Sequence, residues 1–422
     1  MMNTIRLFFD RILQSTNVIL YSRKYSAMLV VGSIIFFLII RIGFLSHAYA
    51  VRDQLIQNDD CLGAIVKVTT LVEDPWMQSP SFKTYKKAIQ RDAKLDTALA
   101  SKRRSVLYNY TILWASIVAF LYRLTGIEFE TIQWFLCFAG QIVVLIAFLR
   151  ILRFLNFTRS DSALALVMYS LTFTHRQQAI WMPPREWSFA LFLFIVGFVL
   201  AIGQQRFVKR KIIVVVCLST FGILMHPNFL LFTPVLCIFL FVQYITITDT
   251  RNDILKCGIA IGVPVVLVIV AERISSSYGF SFLAFSSDLS VGKNMNNISW
   301  SLFSYNFKHA VSAIKHIVNA MSIEVYDGLA LAFVGLVSSY RSQKRLFLLS
   351  VCLVLVSFLS LFPYYHKAWP AEYFKMLTPI IGVVIVLLAT RGLSFLVFKS
   401  EHNNMKHRVG ENYPLKNIKH GD

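Results

Sequence analysis

The residues able to do chemistry in this 422-residue chain fall in three polar stretches set between long apolar runs. The first opens with Asp59 and Asp60, followed by Glu73 and Asp74. The second reads His175-Arg176-Gln-Gln-Ala-Ile-Trp-Met-Pro-Pro-Arg185-Glu186, and the third carries His366, Lys367, Glu372, Tyr373 and Lys375. Carboxylates beside guanidinium and ammonium groups suit a reaction that joins a hydroxyl to a phosphate-linked group. The carboxylate takes the hydroxyl proton. Arg and Lys hold the phosphate, Arg through a planar fork that matches its oxygens.

The elements that must position these groups are membrane helices. Hydrophobic residues make up 56% of the chain, mean hydropathy is +0.60, and charged residues reach only 15%, against roughly 25% in a soluble domain. Several apolar runs approach the ~20 residues that cross a bilayer, so the sequence is that of a polytopic, all-α membrane protein. The net charge of +20 is scattered in short clusters between the runs: Arg206, Lys209, Arg210 and Lys211; Arg341, Lys344 and Arg345; and the tail from Lys399 to Lys419. That is the positive-inside pattern, and it excludes a nucleic-acid partner, which would need a basic, aromatic, water-facing domain. Five of the six cysteines lie in or beside apolar runs and only Cys61 lies in a polar loop, so no extracytoplasmic disulfide is expected. Residues 1–26 read as an amphipathic cytoplasmic N-terminus without a signal-peptide layout.

Spans are predicted at 27–45, 131–152, 161–175, 187–205, 212–225, 228–247, 255–271, 326–340, 346–362 and 375–397, ten in all with both termini cytoplasmic. The membrane domain covers 27–398, with a long first outer loop at 46–130 and a second large one at 272–325; residues 399–422 form a basic tail. Residues 105–124 read best as an interfacial helix on the outer face. As a full span they would leave Arg150, Arg153 and Arg159 outside. Its Tyr108, Tyr110, Trp114 and Tyr122 are then expected in the headgroup zone. Spans 161–175 and 212–225 are short, which is tolerable where helices end below the surface around a protein-walled cavity.

Each candidate also has a plainer reading. An Asp pair beyond a span caps a helix or faces water. Arg176 and Arg185 snorkel to headgroups, His226-Pro227 ends a helix through proline geometry, and the segment from His366 to Lys375 rests on headgroups. Their order along the chain argues for more.

Over roughly residues 25–250 that order resembles the C-type fold (GT-C) membrane glycosyltransferases, which use polyprenyl-phosphate sugars as donors. Asn58-Asp59-Asp60-Cys-Leu-Gly-Ala-Ile-Val-Lys is similar to the acidic motif of the family's first outer loop, and 105–126, ending in glycine, to its second juxtamembrane helix. The segment from His175 to Trp187 lies where the family places its second acidic and basic outer loop. Gly222-Ile-Leu-Met-His226-Pro227-Asn-Phe-Leu-Leu-Phe-Thr-Pro234 resembles the family's paired-helix turn, with His226 where lysine is usual. Glu372-Tyr373-Phe-Lys375-Met-Leu-Thr-Pro379 resembles an Arg-Tyr element before the last span; Glu372 stands in place of the arginine, leaving Lys367 or Lys375 to meet the phosphate.

The resemblance implies inverting transfer of a sugar from a polyprenyl-phosphate donor to an acceptor hydroxyl on a glycan, lipid or protein, at the extracytoplasmic face of the bilayer. Asp59, with Asp60 as the alternate, is then the general base. His175, Arg176, Arg185, Glu186, His226, His366, Lys367, Tyr373 and Lys375 bind substrate. Asp59 and Glu186 are also candidate ligands for a divalent cation, Mg2+ or Mn2+, whose need is left open. Compactness and the lack of trafficking motifs lead to an expectation of a bacterial inner membrane, with a role in cell-envelope polysaccharide biosynthesis. Two alternatives remain: a polysaccharide polymerase or ligase, kept open by Lys308, His309, Lys315 and His316 in the 272–325 loop, and a transporter or flippase for a lipid-linked solute. The latter would place charges in mid-span and repeat its halves; the sequence shows spans almost free of charge and no repeat.

Overall fold

A computed structural model describes residues 23–50, 112–127, 129–171, 183–202, 208–226, 228–246, 249–277, 330–340, 343–361 and 381–396. These form the helices α1 (Arg23–Ala50), α2 (Ile112–Thr125), α3 (Phe129–Phe154), α4 (Arg159–Leu171), α5 (Pro183–Ala201), α6 (Lys209–Met225), α7 (Asn228–Thr246), α8 (Arg251–Ser277), α9 (Ala330–Tyr340), α10 (Lys344–Leu361) and α11 (Ile381–Leu396). Helices dominate because a chain this apolar has to satisfy its backbone groups within each segment. Three are long and apolar enough to cross a membrane by length and composition: Tyr25–His47 in α1, Thr131–Phe154 in α3 and Arg251–Ala271 in α8. Shorter helices occupy the other seven expected runs, so the described residues place a helix at each of the ten without establishing ten crossings.

Helix α5 is the hub. It packs against α3, α6 and α7, and α1 lies along α4. Nearly every α5 residue from Phe189 onward is buried, which is why the helix is apolar all round. If this hub sits in lipid, its cohesion comes from van der Waals contact between interlocking side chains more than from water release. Phe192, against Phe229 and Phe232 of α7, is an instance, with ring centroids 6.3 and 5.1 Å away. Glycine permits two closer approaches. A side chain on Gly222 of α6 would run into the Phe229 ring, and side chains on Gly335 of α9 and Gly392 of α11 would run into the opposing backbone at Leu388 and Leu331.

The ends of the helices are closed by specific polar groups. Asn156 takes a left-handed conformation (φ 55°) after α3, and the Phe157 N–H reaches the Leu152 carbonyl at 3.0 Å, the Schellman arrangement. Gly126 (φ 65°) ends α2 in the same region of backbone space. Thr158 and Asp161 cap α4 reciprocally: the Asp161 N–H donates to Thr158 Oγ1 at 3.1 Å and the Thr158 N–H to Asp161 Oδ2 at 3.3 Å. Gln343 donates to the Leu155 carbonyl (2.6 Å) and Arg345 to the Leu200 carbonyl (2.9 Å), satisfying chain ends at α3 and α5. These contacts, with Arg150, Arg153 and Lys209 to Lys211 nearby in the chain order, mark one basic end of the bundle.

One expectation is corrected at the opposite end. Trp114 is not at a lipid-facing position: it is 2% exposed and packs with Val118, Ile132 and Met225. Trp114 and Val118 lie one turn apart on α2, and that face meets α3 and α6. Tyr122 is partly buried against the same cluster, while Tyr108 and Tyr110 lie outside the described residues.

Candidate functional site

Of the residues singled out in the sequence, Glu186 and His226 are described with their side chains, and Arg185 belongs to the first turn of α5. Asp59, Asp60, His175, Arg176, His366, Lys367, Tyr373 and Lys375 lie outside the described residues, as do residues 278–325 of the expected 272–325 loop, whose first six residues instead continue α8 to Ser277.

Glu186 is not where a surface loop would put it. Helix α5 starts three residues earlier, at Pro183, whose missing N–H suits the first turn of a helix. The start of α5 is held deep against the middle of α3. Gln141 Nε2 donates to Glu186 Oε1 at 2.6 Å, and Trp187 Nε1 donates to the Leu136 carbonyl at 2.9 Å. Gly140 makes the approach possible, since a Cβ there would already stand 3.4 Å from Glu186 Cγ and from Trp187 Nε1. Gln141 is ten residues into the apolar stretch Thr131–Phe154, or ~15 Å along the axis at 1.5 Å per residue. Glu186 therefore lies near mid-depth of that stretch, and it is only 2% exposed.

Helix α6 ends at the same level. Ser188 Oγ donates to the His226 carbonyl at 3.4 Å, which brings the α6–α7 turn to the start of α5. His226 closes α6 in an extended conformation (φ −158°, ψ 138°), with its N–H on the Gly222 carbonyl at 3.2 Å. His226 thus ends α6. Helix α4 is described as far as Leu171, two residues beyond Tyr169. Helices α1 and α3 continue past this level, α1 for nine residues beyond Arg41 and α3 for twelve on the near side of Gln141.

Arg41 completes the cluster, and sequence reasoning passed over it. It is 1% exposed, its guanidinium stands 5.0 Å from the Phe37 ring centroid and 5.7 Å from that of Tyr169, and Nη2 donates to the Tyr169 carbonyl at 3.4 Å. Tyr169 is stacked in turn on Phe148, 4.7 Å between centroids, so α1, α3 and α4 meet around the buried guanidinium, while α5 and its buried carboxylate are held to α3 through Gln141. The usable signal was a single Arg inside an apolar run with an aromatic residue one turn before it, because such a charge needs a partner. Gln141, 0% exposed, was missed for the same reason.

Glu186, one of the two candidate ligands for a divalent cation, accepts from the Gln141 amide at 2.6 Å, and the other, Asp59, lies outside the described residues. Among the described residues no group of three or more His, Cys, Asp or Glu side chains could hold a metal.

No family model matches the chain, and no curated protein matches it in sequence. Among solved structures it is similar to the Archaeoglobus fulgidus oligosaccharyltransferase in the apo form, with 10% identity and a TM-score of 0.49 over 94% of this chain and 53% of that one. It is also similar to the archaeal oligosaccharyltransferase AglB from Archaeoglobus fulgidus in complex with an inhibitory peptide and a dolichol-phosphate, with 11% identity and a TM-score of 0.41 over 73% of this chain and 44% of that one. The chain spans about half the length of these proteins.

Proposed function

We propose that this chain is a membrane-embedded glycosyltransferase that moves a sugar from a polyprenyl-phosphate donor to an acceptor hydroxyl on the extracytoplasmic face. The order of acidic and basic polar stretches supports the reading. The observation that carries it is a buried carboxylate, Glu186, held against the middle of α3 beside the end of α6. A carboxylate is costly to keep there, and intramembrane charges usually mark function.

In this reading Asp59, or Asp60 one residue on, accepts the proton of the acceptor hydroxyl. The hydroxyl oxygen forms a bond to the anomeric carbon, and the bond from that carbon to the donor phosphate oxygen breaks. Polyprenyl phosphate leaves with the bonding pair, its charge held by Arg176, Arg185 and Lys367. In-line attack inverts the anomeric configuration. Glu186 orients the acceptor side of the site, and no step is routed through a metal.

A second reading, translocation of a lipid-linked solute, is favoured by one observation: Arg41 and Glu186 are buried ionisable groups within the helical bundle, where the sequence was expected to have almost none. Proteoliposomes holding the purified full chain and a radiolabelled polyprenyl-phosphate sugar separate the two. The transferase reading expects label to move to a non-donor acceptor. Movement of intact donor between leaflets with no new glycosidic bond would replace it with the transport reading.

A further inference from the structure

We infer that the groove between α1 and α4, at the basic end of the bundle, binds an anionic phospholipid, with one acyl chain laid along the groove and the phosphate at its basic mouth. The inference goes beyond sugar transfer and stands on the described helices alone.

The groove holds about 500 Å³ and is walled by Met28, Leu29 and Phe36 of α1 and by Leu164 and Val167 of α4, with Tyr25 at its mouth. Gly32 keeps the floor open, since a Cβ there would meet no atom within 4 Å. Ser33 adds no polar demand, because its hydroxyl donates to the Val30 carbonyl at 2.8 Å. The groove is open to its surroundings, Met28 being 58% exposed, so its walls lack the contacts that a packed hydrocarbon chain would supply. The inner end is closed just beyond Phe36, where Phe37 stacks on Tyr169 at 6.1 Å between centroids.

Length and charge together select the occupant. Tyr25 to Phe36 is eleven residues of helix, a rise of ~16 Å, which matches the depth of one leaflet in a hydrocarbon core of ~30 Å. A single acyl chain therefore runs the groove from end to end while its headgroup stays at the surface. There, Arg23 and Lys24 open α1 and Arg159, exposed, opens α4. The carboxylate of the same turn of α4, Asp161, is engaged elsewhere: it accepts from Ser394 and stands 4.0 Å from Arg391, both on α11. The mouth is thus positive, which favours an anionic headgroup over a zwitterionic one.

The test uses the full-length protein in phosphatidylcholine nanodiscs that carry a trace of diazirine-acyl lipid, either phosphatidylglycerol or phosphatidylcholine. After photolysis, peptide mapping compares adducts on residues 25–36 and 160–167 with adducts around Val266 and Leu267 of α8, which are 59% and 62% exposed. The ratio of groove to α8 labelling is expected to be at least about tenfold higher for the phosphatidylglycerol probe. Arg159→Gln is expected to lower that preference about fivefold. Gly32→Phe, made where the helix has room, is expected to abolish groove labelling by both probes and leave α8 labelling unchanged.

Equal ratios for the two probes in wild type overturn the proposal and make the groove an ordinary patch of lipid contact, a result that needs no variant to fold. A wild-type groove unlabelled by both probes overturns it too, because another part of the chain or a second copy then fills the space. Labelling that persists in Gly32→Phe with unchanged α8 labelling removes the adducts from the groove and overturns the assignment.

Discussion

Replacing Asp161 separates two contributions that meet at one carboxylate at the basic end. Asp161 is the third residue of α4, where Oδ2 accepts the Thr158 N–H at 3.3 Å and stands 4.0 Å from Arg391 Nη1, while Oδ1 accepts from Ser394 Oγ. It thus caps α4 and fastens α11 to it. Asp161→Ala removes the acceptor from the capping box, a loss of about 0.5–1 kcal/mol. It also leaves Arg391 without its carboxylate, and breaking a buried pair from one side costs about 3–5 kcal/mol. The Arg391 side chain is 22% exposed and its guanidinium lies 5.6 Å from the Phe157 centroid, so it keeps some solvation and a cation–π contact. Those reduce the total to about 3 kcal/mol. Asp161→Asn keeps one oxygen, for the Thr158 N–H, and turns its amide N–H toward Ser394 Oγ, which can accept, so it loses the charge and one acceptor at a cost of about 1–2 kcal/mol. Denaturant titration of purified protein in mixed micelles, followed by tryptophan fluorescence, gives the order wild type, Asn, Ala. Equal destabilisation by the two substitutions, or a shift under about 0.5 kcal/mol for Ala, would refute the division.

The glycine contacts give sharper structural tests. Gly335→Val should force α9 and α11 apart, because the added atoms meet the Leu388 backbone, which cannot turn aside; the expected loss is about 3 kcal/mol or more, read as a lowered yield of monodisperse protein. Gly222→Ala meets the Phe229 ring, which can shift, so the cost should be lower, about 1–3 kcal/mol, measured by the same titration. Membrane-impermeant maleimide should label Gly126→Cys in intact cells and Arg153→Cys only after permeabilisation; the reverse pattern would contradict the orientation inferred from the basic clusters.

Much of the fold was legible because hydropathy reports helices directly. The expected run at 228–247 became Asn228–Thr246, and 346–362 became Lys344–Leu361. Gly126, His226-Pro227 and the basic clusters announced helix ends through backbone chemistry that is local to the sequence. What was not legible depends on which faces meet. Glu186 was assigned to a surface loop because the charge marks the end of an apolar run, yet its depth is set by Gly140 and by the Trp187 bond to the Leu136 carbonyl, contacts 46 to 51 residues apart. Trp114 was assigned to the headgroups by its residue type, and the face it shares with Val118 turned it inward. The candidate site was legible in part: Glu186 was named, whereas Arg41 and Gln141 looked like isolated polar residues in apolar helices until their partners were known.

The most direct measurement is transfer itself. Purified wild-type protein, Asp59→Asn and Asp60→Asn are each incubated with a polyprenyl-phosphate sugar and a panel of glycan, lipid and peptide acceptors, and the glycosylated product is quantified by mass spectrometry. The account predicts product from wild type with inverted anomeric configuration, and a loss of about 10²–10⁴-fold, the usual contribution of a general base, for one of the two Asp variants. Full transfer by both variants would contradict the catalytic assignment.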